Sequence, residues 1–194
     1  MGGGSHGRLM RVQAVDFFAG SLPMVVEEGS IVEISPAVFR LSPDAAPEAV
    51  GGVVGRAKVV QFDSPLPHRL LDALAQALSE HPETELYIYG HYGLDIDSHL
   101  RFLNGFEQIR ALSLNLQGLK ALDGLARFDC LRQLTLQGMP SIPSLEPLED
   151  LGGLEDLVLP GAVHDVAALS SLTSRQPSLW GRYATSPRLT SCKA

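Results

Sequence analysis

Two histidines and two aspartates lie close together in a segment that could hold a metal ion. The segment is 91–99, HYGLDIDSH, and its possible ligands are His91, Asp95, Asp97 and His99. Imidazole and carboxylate groups bind hard and borderline divalent cations, so one hypothesis is a metal-dependent enzyme. The spacing matches neither a zinc-protease motif nor a calcium-binding loop. The alternative is a polar turn in which Asp95 or Asp97 caps the next segment.

Other catalytic and cofactor signatures are missing from the sequence. The six histidines lie in no recognised catalytic-triad context, and the glycines of 51–55 match neither the phosphate-loop nor the dinucleotide-binding spacing. Cys130 lies at a junction between two similar segments, where a small half-buried residue is the ordinary interpretation. The sequence therefore predicts a protein that is not an enzyme, with no catalytic residue, no metal and no cofactor.

The charge of the chain is unevenly distributed. Its 194 residues include 15 Lys and Arg against 22 Asp and Glu, a net charge of −7. Residues 173–194 contain four basic residues and no acid, so this tail carries +4 and residues 1–172 carry −11. An acidic body disfavours nucleic acid and anionic membranes as partners, because both are polyanions.

Cysteine content and hydropathy bear on where the protein resides. The sequence has only two cysteines, too few for a disulfide framework, and it has no apolar run of the length that a membrane-spanning helix needs. We therefore expect a cytoplasmic protein, in which residues 1–8 form a flexible leader.

A repeated pattern of leucines dominates the second half of the chain. Three consecutive units, 109–130, 131–153 and 154–178, place their large apolar residues in the same order. The equivalent central leucines of these units are Leu112, Leu134 and Leu157. A short strand with alternating inward leucines cannot bury itself alone, so we expect such units to stack through a parallel sheet.

This pattern resembles the leucine-rich repeat, in particular the short bacterial repeats of internalin-like proteins, in which L-x-x-L-x-L is followed by L-x-x-L-x-x-L steps. The stretch from Ile142 to Leu159 matches the pattern closely. The resemblance implies an α/β solenoid of parallel strands with helical or 3₁₀ return segments, which works by binding another protein. The chain departs from the family where an Asn is usual, because it has Gln117, Met139 and Ala162 there.

Counting backwards extends the pattern upstream of the three units. A step of 26 residues from Leu112 reaches Leu86 in the strand-like ELYIYG, and a second such step reaches Val60 in KVVQF. We therefore expect two longer strand-and-helix units before the three short ones. The solenoid is predicted to occupy residues 58–180.

The segment between Val60 and Leu86 has the features of a helix. Ser64 is the predicted N-cap, Pro65 the first helical residue, and Pro82 ends the element. Its leucines fall on one stripe, as expected for a helix that packs on a core. These leucines are Leu66, Leu70, Leu71, Leu74 and Leu78.

The N-terminal part of the chain does not fit the leucine pattern. It is rich in β-branched and aromatic residues, with a credible turn at 27–30 and a loop or linker over 42–52. We interpret it as a β-rich N-terminal cap or add-on, because the exposed end of a solenoid needs covering. The predicted domains are a leader (1–8), this cap (9–57), the solenoid (58–180) and a polar basic tail (181–194).

Residues that flank the strand leucines are expected to point away from the interior, onto the concave surface of the sheet. The predicted binding residues are Tyr87, Tyr89, Arg110, Ser113, Asn115, Arg132, Gln133, Thr135, Gln137 and Trp180. This set is polar and aromatic, includes two arginines and contains no acid, a composition that resembles protein-binding hot spots.

The sequence therefore predicts a monomeric, non-enzymatic binding module whose partner is another protein, contacted through the concave sheet. An alternative within the same class is an immunity-type inhibitor of a basic toxin or nuclease, because an acidic surface steers association toward basic targets. Substitution of His91 and Asp97 separates both from the metal-dependent enzyme, since only the enzyme would lose its activity.

Overall fold

The computed structural model describes residues 31–90, 100–117, 119, 121–138 and 144–159. They form an α/β fold with one seven-stranded sheet, whose strands follow one another in chain order. The strands are β1 (Ile31–Ser35), β2 (Val38–Leu41), β3 (Val59–Phe62), β4 (Glu85–Gly90), β5 (Ala111–Leu116), β6 (Gln133–Gln137) and β7 (Asp156–Val158). The helices are α1 (Pro47–Val54) and α2 (His68–Glu80), with 3₁₀ helices at Arg101–Leu103, Asp123–Leu125 and Glu146–Leu148.

Only the first strand runs against the others. β1 and β2 form an antiparallel hairpin, and every later neighbour pairs in parallel. The hairpin turn contains Ala37, whose φ of 64° places it in the left-handed region. The Ala37 carbonyl accepts the amide hydrogens of Lys58 and Val59, which ties the turn to the start of β3.

One line of apolar residues crosses the parallel strands at the same register position. In strand order it consists of Phe39, Val60, Leu86, Leu112, Leu134 and Leu157. The equivalence predicted from the spacing of Val60 and the four leucines is confirmed by these pairings. Each of the six side chains is at most 4% exposed, so the line forms one continuous strip of core.

Alternation along the strands directs these residues to one side of the sheet, where the helices pack. The leucine stripe predicted for α2 is buried there, from Leu66 to Leu78. The helix begins at His68, four residues after the predicted cap. Pro67 explains the difference, because a proline disfavours helical geometry at the residue before it, and the Ser64 hydroxyl instead donates to Asp63.

Residues 42–52 were predicted as a loop or linker, and this prediction is wrong for their second half. Helix α1 starts at Pro47 with Glu48 in its first turn and buries Val50, Val53 and Val54 on one face. It connects β2 to the parallel β3, so the first strand and the helix of a strand–helix–strand unit lie within the segment predicted to be β-rich, and its second strand lies in the predicted solenoid. The glycines at 51 and 52 lower helix propensity but lie on the exposed side, where they cost no packing.

The later return segments are built from tight turns. In the unit after β5, the amides of Leu125, Phe128 and Leu131 each donate to the carbonyl three residues earlier, at 2.8 to 3.0 Å. The unit after β6 repeats this series with Leu148, Leu151 and Leu154. Bonds of this i to i+3 kind bring every third side chain to one face, and these side chains are buried.

The expectation of two long strand-and-helix units holds for the unit that contains α2. In the next unit, which follows β4, the described part of the return segment contains the 3₁₀ helix Arg101–Leu103 in place of an α-helix. Leu103, Phe106 and Ile109 fill the core at spacings of three residues, as in the shorter units.

Candidate partner-binding face

The side of the sheet opposite the helices carries the polar residues of the strands. We call it the open face, because most of its side chains in the described part of the chain are half-buried or exposed. The open face consists of Val38, Arg40, Val59, Gln61, Asp63, Glu85, Tyr87, Tyr89, Ala111, Ser113, Asn115, Gln133, Thr135, Gln137, Asp156 and Val158. Parallel pairing places these side chains in rows that run across the strands.

Two tyrosines form the centre of the open face. Tyr87 and Tyr89 occupy alternate positions of β4, and so their side chains emerge on the same side. Their rings are stacked, with centroids 5.1 Å apart and planes 22° from parallel. Both residues are half-buried, and each ring covers the other from one side only. The pair therefore presents aromatic surface together with two hydroxyl groups.

Amide side chains on the adjacent strands hold both hydroxyl groups. Asn115 on β5 donates from Nδ2 to the Tyr87 hydroxyl oxygen at 3.3 Å, and Gln61 on β3 donates from Nε2 to the Tyr89 hydroxyl oxygen at 3.4 Å. Each tyrosine accepts in these bonds and keeps its own hydroxyl hydrogen for donation. The stacked pair is thus held from both sides by rigid strands, a pre-organisation that reduces the entropy lost on binding.

A half-buried carboxyl group lies beside the tyrosines. Glu85 begins β4, two positions before Tyr87, and its Oε1 accepts the hydroxyl hydrogen of Ser113 at 2.5 Å. Burial raises the pKa of Glu85 above its usual value, and the bond from Ser113 opposes this increase only in part. The raised pKa means that folding favours the protonated form of this side chain.

Substitution Glu85→Gln is expected to stabilise the protein at pH 7. Because the folded-state pKa of Glu85 is raised, its contribution to stability is complete below the unfolded pKa and is lost as pH rises through the folded one. A neutral glutamine avoids the burial of charge and still accepts from Ser113. In thermal unfolding from pH 3 to 8, the advantage of the variant should be present at neutral pH, shrink as the pH falls through the raised folded-state pKa of Glu85, and be absent below about pH 4.

The matched control for this prediction is Glu48→Gln, which changes an exposed carboxylate of α1. We expect this control to shift stability by less than about 0.5 kcal/mol. A Glu85→Gln variant that is less stable than the wild type at pH 7 would show that the bond from Ser113 outweighs the burial of charge.

Charged groups surround the hydroxyl end of Tyr89. Burial raises the pKa of Tyr89, the Asp63 carboxylate raises it further, and Arg40 opposes both effects. Arg40 Nη1 lies 3.8 Å from Asp63 Oδ2, and both side chains are partly exposed. Asp63 directly follows β3, so its position beside Tyr89 results from the parallel pairing of β3 with β4.

Two glycines allow neighbouring strand ends to approach closely at this face. Gly90 ends β4 with a φ of +118°, and a Cβ there would lie 3.0 Å from the Asp63 carbonyl oxygen. Gly138, which follows β6, has a φ of +69° and lies directly against the side-chain amide of Asn115. Asn115 therefore occupies space that a side chain at position 138 would take.

The structure places most of the predicted binding residues on one surface. Seven of them share the open face: Tyr87, Tyr89, Ser113, Asn115, Gln133, Thr135 and Gln137. Ser113 is only 6% exposed, so it lies beneath the neighbouring side chains of the open face. Gln133 is exposed and donates to Asp156 Oδ2 at 3.4 Å. Trp180 lies outside the described residues.

The two predicted arginines lie elsewhere. Arg110 and Arg132 each precede a strand, and their side chains form ion pairs with Glu83 and Glu155 at the starts of neighbouring strands. Alternation explains this position. Each arginine lies two residues before a core leucine, and only residues at odd spacings from that leucine lie on the open face. These arginines border the open face at its edge and are already partnered by carboxylates.

The predicted surface also lacked the acids and the amide that the structure places there. Preceding residues were counted only before Leu112 and Leu134, so the prediction missed Glu85 and Asp156, which precede the core residues Leu86 and Leu157 on their strands. It also missed Gln61, because the count was not applied to Val60, and Asp63, which lies beyond the strand. The face predicted to be nearly free of acid is therefore acidic, and alternation applied on both sides of every core residue would have found Glu85, Asp156 and Gln61.

Other candidate chemistry finds no support in the described residues. The proposed metal ligands of segment 91–99 lie outside them. Among the residues that the structure does describe, no three His, Cys, Asp or Glu side chains are grouped so that they could hold a metal ion. Cys130, predicted to be half-buried, is exposed, with its thiol 3.8 Å from Gln108 Oε1.

The fold and the open face together define an α/β protein with a mostly parallel sheet and a polar, aromatic surface on one side of it. No protein-family model and no curated protein matches the chain. In the part of the chain that the structure describes, neither helix has the length and apolar character required to cross a membrane.

Proposed function

We propose that the protein is a leucine-rich repeat solenoid that binds another protein through its open face and catalyses no reaction. Three observations support the repeat: the leucine line across the strands, the strand order that follows the chain, and the i to i+3 turns of the return segments. Stacked units of this kind bury a continuous core on one side and leave the strand surface for binding.

The stacked tyrosine pair is the observation that carries the binding proposal. Tyrosine is enriched among residues that dominate binding energy, because its ring supplies apolar contact area and its hydroxyl supplies a hydrogen bond. Tyr87 and Tyr89 are half-exposed at the centre of a strand surface, in a geometry fixed by Gln61 and Asn115. Polar residues of β5 and β6 continue the same surface, as the rim of an interface does.

A dedicated inhibitor of a basic protein is the second candidate, as a special case of the same function. The acids Asp63, Glu85 and Asp156 on the open face favour it, because an acidic interface accelerates association with basic targets. We further propose that the protein works in the cytoplasm as a monomer. Sedimentation at micromolar concentration tests the monomer, and fractionation of native cells tests the location.

The test is affinity capture from the native cell with quantitative mass spectrometry, using the wild type and a Tyr87→Ala/Tyr89→Ala variant. Truncation of a hot-spot residue costs about 2 kcal/mol or more, so the affinity of the variant for the partner should fall by at least about thirtyfold per ring. The matched control is Arg69→Ala/Gln76→Ala, which changes two exposed side chains on α2. This control should retain the partner fully.

Folding must be monitored alongside the capture, since the tyrosines also stabilise one another. A Tyr87→Phe variant keeps the ring stack but removes the hydroxyl group that Asn115 contacts. It should fold as the wild type does and bind at an intermediate level. Undiminished capture by the double alanine variant would move the binding site away from the open face.

A further inference from the structure

Two carboxyl groups flank the tyrosine pair on the open face. Glu85, Tyr87 and Tyr89 alternate along one side of β4, and Asp63 lies beside Tyr89 at the end of β3. The aromatic pair therefore has one acid at each end. Since residues in a strand advance about 3.3 Å each, positions 85 and 89 are about 13 Å apart.

The open face carries a net negative charge. Asp63, Glu85 and Asp156 on the open face are opposed there by Arg40 alone among its described residues. The chain as a whole is also acidic, with 15 Lys and Arg against 22 Asp and Glu, a net charge of −7. The arginines at the strand starts do not change this balance, because each is paired with a carboxylate. A partner with positive charge fits this surface electrostatically.

We propose, on the basis of the binding function above, that the open face takes an extended, arginine-bearing segment of a partner protein. A guanidinium group stacks on the outer side of the Tyr87 or Tyr89 ring and donates hydrogen bonds to the carboxylate of Glu85 or Asp63. The planar guanidinium offers five N–H donors and stacks on aromatic faces, whereas an ammonium group is a compact point charge. This difference favours arginine over lysine.

The geometry of the face also indicates the form of the segment. Two carboxyl groups about 13 Å apart match two arginines four residues apart in an extended chain, which spans the same distance. Between them, the hydroxyl groups of Tyr87 and Tyr89 can donate to backbone carbonyl groups of the segment. Polyanions such as nucleic acid are excluded as occupants by the same charges that attract arginine.

The proposal is tested with synthetic Gly-Ser peptides that carry two arginines four residues apart, or lysines or glutamines at the same positions. Two-dimensional NMR of the whole protein, with assigned Tyr87 and Tyr89 ring signals, gives both the site and the affinity. The arginine peptide should shift the ring signals of both tyrosines and bind more tightly than the lysine peptide. Its affinity should fall as salt is added. The glutamine peptide should produce no shift.

Variants of the protein locate the charge effect. The variant Asp63→Asn/Glu85→Gln should lower the affinity for the arginine peptide by tenfold or more. The control Asp72→Asn/Glu80→Gln makes the same charge change on α2 and should have little effect on this affinity. Equal affinity for the arginine and glutamine peptides would overturn the proposal. So would equal affinity for arginine and lysine, or unchanged affinity after the open-face substitutions.

Failure of this proposal can be distinguished from failure of the proposed function. Suppose that a captured natural partner is lost with Tyr87→Ala/Tyr89→Ala but is retained with Asp63→Asn/Glu85→Gln and in high salt. This result would overturn only the proposal of an arginine-bearing segment. A partner retained by both variants would place the binding site elsewhere and overturn the proposed function. The peptide titration then shows independently whether the open face binds arginine.

Discussion

Substitution Leu134→Ala is expected to lower the free energy of unfolding by about 3 kcal/mol, because it removes a fully buried side chain from the middle of the core strip. Leu134 is 1% exposed and has Leu112 and Leu157 as register partners on either side. Neighbours held on separate strands cannot collapse into the space, so the cavity remains. For a chain of this size, we expect a melting temperature lower by about 6–12 °C.

Urea denaturation followed by circular dichroism measures this effect directly. The control Thr135→Ala changes the next residue of β6, which faces the opposite side of the sheet and is half-buried. Its cost should stay below about 1 kcal/mol, within the range of strand propensities. A Leu134→Ala variant that loses less than about 1 kcal/mol would mean that the leucine line does not form a packed core.

The leucine register could be predicted because it depends on spacing alone. Side chains in a strand alternate and parallel neighbours align, so the similar positions of Leu112, Leu134 and Leu157 in their units had to produce a line of contacts if the strands paired. The same regularity put Tyr87 and Tyr89 on the opposite side. The sequence therefore contained both the core and the centre of the candidate site.

Helix α1 was missed because local composition and tertiary packing disagree there. Two adjacent glycines and nearby prolines indicate a loop, yet Val50, Val53 and Val54 recur at helical spacing and are buried against the core. The hydrophobic contacts of these valines outweigh the intrinsic cost of the glycines, about 1 kcal/mol each. The spacing of the valines was the available signal.

The acidic character of the open face was missed for another reason. Glu85 is close in sequence to the apolar residues of β4, but only the pairing of β4 with β5 shows that Ser113 meets its carboxyl group. Asp63 follows its strand, where alternation no longer specifies direction. The position of the site could thus be predicted from the patterns of single strands, whereas its chemistry depends on contacts between strands.

Gly138→Ala is expected to destabilise the protein by about 1–2 kcal/mol through backbone strain and by about 0.5 kcal/mol more through overlap with Asn115, and to disturb the open face at the same time. The backbone at Gly138 has a φ of +69°, a left-handed conformation that costs an L-residue about this amount. The new methyl group would also overlap the Asn115 side-chain amide, which must then leave its place. Since Asn115 donates to the Tyr87 hydroxyl group, the tyrosine pair loses one of its two supports.

A double-mutant cycle separates the two effects. In an Asn115→Ala background the overlap is absent, so Gly138→Ala should cost only the backbone strain, and the two substitutions should show a coupling of about 0.5 kcal/mol or more. The control Gly152→Ala adds a methyl group where no atom lies within 4 Å, and it should change stability by less than about 0.5 kcal/mol. Strict additivity of the two substitutions would show that Asn115 is free to move. Its hydrogen bond to Tyr87 would then not be what holds the ring in place for binding.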